Sequence, residues 1–197
     1  MKVICKNVRL TFPVLWEPKA MANDPKSKPA YSAGAVFPHE HPCVKLISDA
    51  IRTEAKKKWK GDAPAILAQL KAADRLCLHN GDLKKQYDGY AGNLFISARN
   101  ERVRPLVVDR DGRTPLNEAD GRPYGGCYVD LRVEIYAQSN AYGKRVNASL
   151  KGVQFLRDGD AFGAGAPMRI DEFESQEEGD LGYEAEVGAE AEEESLI

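Results

Sequence analysis

Lysine and arginine are absent from residues 171–197, a stretch that holds 12 Asp and Glu. Long apolar runs are also missing: nothing approaches the roughly 20 residues of a membrane-spanning helix. The start, MKVICKNVRLTF, has too few consecutive apolar residues for a secretory signal, so a cytoplasmic protein is expected. Only four cysteines occur, Cys5, Cys43, Cys77 and Cys127, too far apart to suggest a disulfide framework and expected to be buried and reduced. There is no Walker lysine loop, no GxSxG elbow, no HExxH pair and no internal repeat. These absences argue against the common enzyme classes, so no catalytic residue and no cofactor is expected.

What is present is a segregation of charge. Of the 30 acidic residues, 18 share residues 1–170 with all 28 basic ones, a body of about +10 joined to a tail of about −12. A cationic domain tethered to its own polyanion points to a polyanionic partner, nucleic acid first. The tail is rich in Glu, Ala and Gly and cannot bury enough apolar surface to offset the entropy of ordering. The organisation expected is therefore one folded domain, 1–170, and a disordered acidic tail, 171–197. Asp171, Glu172, Glu192, Glu193, Glu194, Leu196 and Ile197 are the tail residues expected to mimic nucleic acid or to recruit partners. The plainer alternative is a solubilising tail.

Hydrophobic periodicity gives the body a mainly β pattern with inserted helices. Val8, Leu10 and Phe12 alternate with polar residues, so residues 2–12 read as a strand that Pro13 stops. Residues 19–29 read as a mobile basic loop and 31–37 as a second strand. Val44, Ile47, Ile51, Ala55 and Trp59 recur at helical spacing after Pro42, and Pro64 opens a second helix with Ile66, Leu67, Leu70 and Ala73 inward. Residues 94–98 and 103–108 read as strands. Over 127–138 the alternation is cleanest, with Cys127, Val129, Leu131, Val133, Ile135 and Ala137 on one face. A turn at 140–143 leads into an antiparallel partner, where a change of parity after Gly152 implies a bulge. Five or six such strands fit an antiparallel barrel of the oligonucleotide-binding (OB) type.

Holding unpaired nucleic acid without reading its sequence takes flat rings for bases and cations for phosphates. Both types interleave on the outward-facing positions. The rings expected to stack are Tyr87, Tyr90, Phe95, Tyr124, Tyr128 and Tyr136; the cations expected at phosphates are Lys84, Lys85, Arg99, Arg102, Arg104, Arg132, Arg145 and Lys151. Tyr142 reads as a turn residue, and Trp16 as either a loop anchor or a platform. His39, His41 and Cys43, with Cys77 and His79, are zinc-ligand types without the spacing of a finger or ribbon, so no metal is expected. Asp109/Asp111 and Asp158/Asp160 would suit Mg²⁺ in a nuclease, but their glycine neighbours make turn chemistry sufficient.

The ordered set Leu10-Thr-Phe-Pro13, residues 31–38, Lys58-Trp59, Asn80-Gly-Asp82, Tyr90-Ala-Gly92, Arg104-Pro105, Tyr124-Gly-Gly-Cys127-Tyr128-Val129 and Ser149-Leu-Lys-Gly-Val-Gln154 resembles the phage single-stranded-DNA-binding proteins of the DUF2815 type, related in architecture to the T7-like phage single-stranded-DNA-binding protein. The resemblance covers roughly residues 2–160. It implies an OB-fold body that coats single-stranded DNA in phage replication or recombination, in the host cytoplasm. It also implies an acidic tail that docks replication partners and competes with DNA for the groove. Such tails often end in an aromatic residue, whereas this one ends Leu196-Ile197. The expected partners are single-stranded DNA and replication or recombination proteins, with no membrane; a homodimer and strand annealing are both left open. The rival readings are an adaptor that meets an acidic protein, and a metal-dependent nuclease.

Overall fold

Strand β6 (Tyr128–Asn140) realises the alternation of the sequence: Val129, Leu131, Val133 and Ile135 are fully buried while Arg132 and Tyr136 face outward. A two-residue turn joins it to β7 (Gly143–Arg157), with Asn140 Oδ1 accepting from the Tyr142 amide at 3.0 Å and Gly143 at φ 99°. The expected bulge is present. Arg132 pairs with Gly152 but Val133 with Leu150, so Lys151 is the extra residue.

The computed structural model describes residues 1–21 and 24–163. Preceding β6 are β1 (Lys2–Lys19), β2 (Ala30–Phe37), helices α1 (Pro42–Trp59) and α2 (Ala63–Ala72), and strands β3 (Leu78–Asn80), β4 (Leu94–Asn100) and β5 (Leu106–Val108). The sheet order is β3-β4-β2-β1-β6-β7-β5. It curls until β4 meets β7, where Asn100 Nδ2 donates to the Leu150 carbonyl at 3.0 Å. Strands β1, β2, β4, β7 and β6 thus surround one core, which matches the expected barrel. One pair departs from the antiparallel expectation: β5, shorter than the 103–108 run suggested, lies parallel to β7. Gly152 permits that approach, since a Cβ there would lie 2.9 Å from the Leu106 carbonyl oxygen.

Helix α1 closes the barrel. Pro42 occupies its first turn, His41 Nδ1 accepts from the Cys43 amide at 3.3 Å, and Lys56, Lys57 and Lys58 complement the dipole at its end. Ile47, Ala50, Ile51, Ala55 and Trp59 are buried, and Trp59 Nε1 reaches Ser139 Oγ at 2.9 Å. On α2, Ile66 and Leu70 point inward as expected, whereas Ala73 is exposed beyond the last turn. The four thiols are free and buried, and burial pushes those of Cys77 and Cys127 up to about 12. At Cys5 the thiol is also pushed up, by its hydrogen bond with Cys43 and by burial.

The expected end of β1 at Pro13 is corrected. The strand runs on to Lys19, because Pro13 falls in a bulge between Thr11 and Val14 where its missing N–H disturbs no ladder. A first bulge lies between Cys5 and Val8. Asn7 (φ 51°) and Phe12 (φ 45°) adopt the left-handed region at the two bulges, and each bulge shifts the inward parity. Val3 and Cys5 are therefore buried, then Val8 and Leu10, then Leu15. Phe12, read from alternation as inward, is 58% exposed on the outside.

The expected tail, including Asp171, Glu172, Glu192, Glu193, Glu194, Leu196 and Ile197, and the boundary at 170 lie outside the described residues.

Candidate nucleic-acid interface

A cleft of about 1080 Å³ opens on the outer face of the barrel. The β1–β2 connection (Met21, Asp24, Ser27, Lys28) forms one wall and the β6–β7 turn (Asn140, Tyr142, Gly143) lines it as well; between them lie Ser97 and Arg99 of β4 and Tyr136, Arg145, Asn147 and Lys151 of β6 and β7. The two connections and the β4 face correspond to ones with which OB barrels hold oligonucleotides, and β6 and β7 supply the rest of the lining. Six cations line the cleft, Lys28, Arg75, Arg99, Arg102, Arg145 and Lys151, against four carboxylates, Asp24, Asp74, Glu101 and Glu134.

The pairing of these charges decides which cations are available. Lys151 Nζ lies 2.7 Å from Glu134 Oε2, and that hydrogen bond holds the Glu134 carboxyl below its usual range. Asp74 accepts from His79 Nδ1 at 2.6 Å. Arg99 donates Nη2 to the Lys28 carbonyl and lies 4.0 Å from Glu101, so it ties the β1–β2 wall to β4. Among the described residues Arg75, Arg102 and Arg145 have no ion-pair partner. Each is positioned by backbone: the Arg75 carbonyl accepts from Val146 N at 3.2 Å, the Arg102 amide donates to Asn100 Oδ1 at 3.0 Å, and Arg145 pairs with Gln138 across the β6–β7 hairpin.

Of the expected residues the cleft therefore gathers Arg99, Arg102, Arg145, Lys151 and Tyr136, the last 40% exposed. The others stand elsewhere. Arg104 lies over the ring of Trp16 at 5.2 Å, and exposed Arg132 projects from β6 beside the Gly152 bulge. Tyr128 is held between Arg157, 3.3 Å from its centroid, and Arg9 at 5.7 Å. Tyr124 is half-buried, its hydroxyl 3.0 Å from both Asp158 Oδ1 and the Gly159 carbonyl; burial first, and then the Asp158 carboxylate, set its titration above the usual range against the opposing effect of the Gly159 backbone.

A second group forms around the loop between β3 and β4, which carries Lys84, Lys85, Tyr87 and Tyr90. Two expectations are corrected here. Tyr90 and Phe95, read as outward platforms, are 3% and 4% exposed, because this loop and Phe162 fold back over the outer face of β2 and β4. Tyr90 covers Thr11, their hydroxyls 3.0 Å apart, and Phe95 is stacked on His79 at 4.7 Å beneath Lys84, 5.0 Å away. Gly81 lets the loop turn back: a Cβ there would collide with the Tyr90 carbonyl. What stays open is Phe12 with Tyr87, edge to face at 4.9 Å, Tyr87 being 41% exposed.

Sequence reasoning missed Lys28, Arg75, His79 and Phe12. Lys28 and Arg75 come from separate connections, and only the closed barrel brings them together; the parity switch from Val8 and Leu10 to Leu15 was the available signal for Phe12. No group of three or more His, Cys, Asp or Glu suited to a metal occurs among the described residues. His41 Nδ1 lies 3.0 Å from Cys43 Sγ as part of the helix cap. Asp109 and Asp111 are engaged in a turn, Asp111 accepting from the amides of Arg113 and Thr114 and from Thr114 Oγ1, contacts that lower its titration. No helix among the described residues is long and apolar enough to cross a membrane.

A barrel of this topology, with a cationic cleft between its first and last hairpin connections, has the form of the oligonucleotide-binding class. Within that class the chain belongs to the family of the Enterobacter phage Enc34 single-stranded-DNA-binding protein, whose family model matches residues 1–182. The family match carries this description rather than the DUF2815 label. The chain is 44% identical over 177 residues to "Putative protein p50" of Acyrthosiphon pisum secondary endosymbiont phage 1, covering 88% of this chain and 93% of that protein. Among solved structures it is similar to the bacteriophage Enc34 single-stranded-DNA-binding protein in complex with single-stranded DNA, with TM-score 0.67 and 29% identity, over 82% of this chain and 89% of that one. It shares its fold with gp2.5, the single-stranded-DNA-binding protein of bacteriophage T7, at TM-score 0.52 and 13% identity, over 89% and 98% of the two chains.

Proposed function

We propose that this protein binds single-stranded DNA without reading its sequence, acts in phage DNA replication or recombination in the host cytoplasm, and performs no chemistry on the strand. The observation that carries this reading is the cleft itself: three arginines without an ion-pair partner among the described residues are spread along it, in a chain that belongs to the Enc34 family. Phosphates meet Arg75, Arg102 and Arg145 with Arg99, while Glu134 holds Lys151, and Tyr136 offers a ring at the floor. Affinity that comes from phosphates and stacked rings is indifferent to base identity, because every nucleotide has both a charge and a π-face.

The acidic segment 171–197 acts, in this reading, as an internal competitor at high effective concentration, displaced when a strand arrives and then free to engage replication proteins. Anisotropy titrations with labelled oligo-dT at two salt concentrations, on full-length protein and on protein ending at 170, test both statements. Affinity should fall with salt with a log–log slope of about −0.7 per phosphate contact, and removing the tail should tighten binding. Weaker binding after truncation overturns the competitor role, and no saturable binding overturns the function in favour of an adaptor. Mg²⁺-dependent loss of the oligonucleotide on a gel would mark a nuclease instead.

A further inference from the structure

Phe12 is an unusual residue to find where it is. A bulky side chain in the left-handed region is strained, and the result here is a phenyl ring 58% exposed rather than packed. Its neighbours give that conformation a use. Tyr87 stands edge-on at 4.9 Å, Tyr90 supports both rings at 6.2 and 5.7 Å, and Thr11 fixes Tyr90 from below. Between Phe12, Pro13, Tyr87, Gly125 and Phe162 lies a separate recess of about 310 Å³, at the small end of the range for ligand sites.

The recess and the cleft share one face of the barrel. Thr11, at the recess, pairs with Gly34, and Gly34 pairs with Ser97, which lines the cleft. Two strand spacings, about 10 Å, separate them. The strand between presents half-exposed Gly34, where a side chain would collide with Thr11 Oγ1. Lys84 and Lys85 stand on the same loop as Tyr87, so cations accompany the rings at this end as well.

We infer that Phe12 and Tyr87 form a second base-stacking station, outside the cleft, that takes one unpaired nucleobase from a strand continuing across Gly34. The inference rests on the cleft binding single-stranded DNA. A ring set outside the cleft is reached only by a strand long enough to leave it, so its signature is a dependence on length.

The experiment is a titration of full-length protein with oligo-dT from about 4 to 20 nucleotides, a range that brackets the site sizes of OB folds. Wild-type affinity should rise by a step of about 5- to 150-fold, the worth of one stacked base. Phe12→Ala and Tyr87→Ala should each abolish the step and leave the shortest oligonucleotides unaffected; Phe12→Trp should restore it. Abasic positions at one end of a long oligonucleotide should remove the step from the wild-type protein, a readout independent of any variant's folding. The station is overturned if both alanine variants keep the step, which would leave the recess to a protein partner, or if they lose affinity equally at every length. A wild-type protein that binds no oligo-dT at all sinks the cleft reading as well, and is a distinct result.

Discussion

Glu134 Oε2 and Lys151 Nζ lie 2.7 Å apart on the floor of the cleft, so one cation of the candidate interface is already neutralised by the protein itself. Both side chains are about 40% exposed, and a pair so open to solvent adds little to stability. Its effect should fall on binding. Glu134→Gln should tighten oligo-dT binding and steepen the salt dependence by about 0.7 in log–log slope, one added phosphate contact. Anisotropy titrations from low to moderate salt check this; unchanged affinity and slope would mean that no phosphate reaches Lys151.

Thr11 and Tyr90 make a buried hydroxyl pair, and burial raises the Tyr90 phenol above its usual titration range despite the bond from Thr11. Tyr90→Phe leaves the Thr11 hydroxyl, 1% exposed, without its partner, at a cost of about 1–3 kcal/mol. Thr11→Val combined with Tyr90→Phe removes both polar groups and should lose less than the two single changes together. Urea denaturation of the three variants gives the comparison.

His41 caps α1 with an unprotonated Nδ1, and burial lowers its pKa below the ordinary 6.5, outweighing the opposing pull of Glu40. The unfolded chain therefore takes up the proton more readily than the folded one. Stability contributed by this group is complete above about pH 6.5 and declines as pH falls through that value toward the folded pKa. Asn caps equally well without titrating. The Tm difference between pH 7.5 and 5.5 should accordingly be smaller in His41→Asn than in the wild type.

Much of this was legible from periodicity. The 127–138 alternation gave the inward face of β6 residue for residue, the parity change at Gly152 gave the bulge, and Pro42 with Trp59 bracketed α1. The strand β1 was less readable because its two bulges are made by Asn7 and Phe12 rather than by glycines, so alternation sent Phe12 to the wrong face. Phe95 alternates outward as expected and is nevertheless buried, since the cover comes from a loop whose return depends on tertiary contacts. The cations of the cleft could be recognised one by one, but their assembly could not. Arg75 reaches it only through the docking of the segment after α2 on β7, and Lys28 only through the tie to Arg99.

The cleft, and not basic surface in general, is proposed to receive the strand. This is tested by comparing two triple variants with wild type: Arg75, Arg102 and Arg145 changed to Ala, and Lys45, Lys56 and Lys58 of α1, which are exposed and likewise have no ion-pair partner among the described residues, changed to Ala. Oligo-dT binding measured over a salt series should weaken in the cleft variant, with the log–log slope shallower by about 2, while the helix variant should behave as wild type. Equal losses in the two variants, or none in the first, would contradict the account.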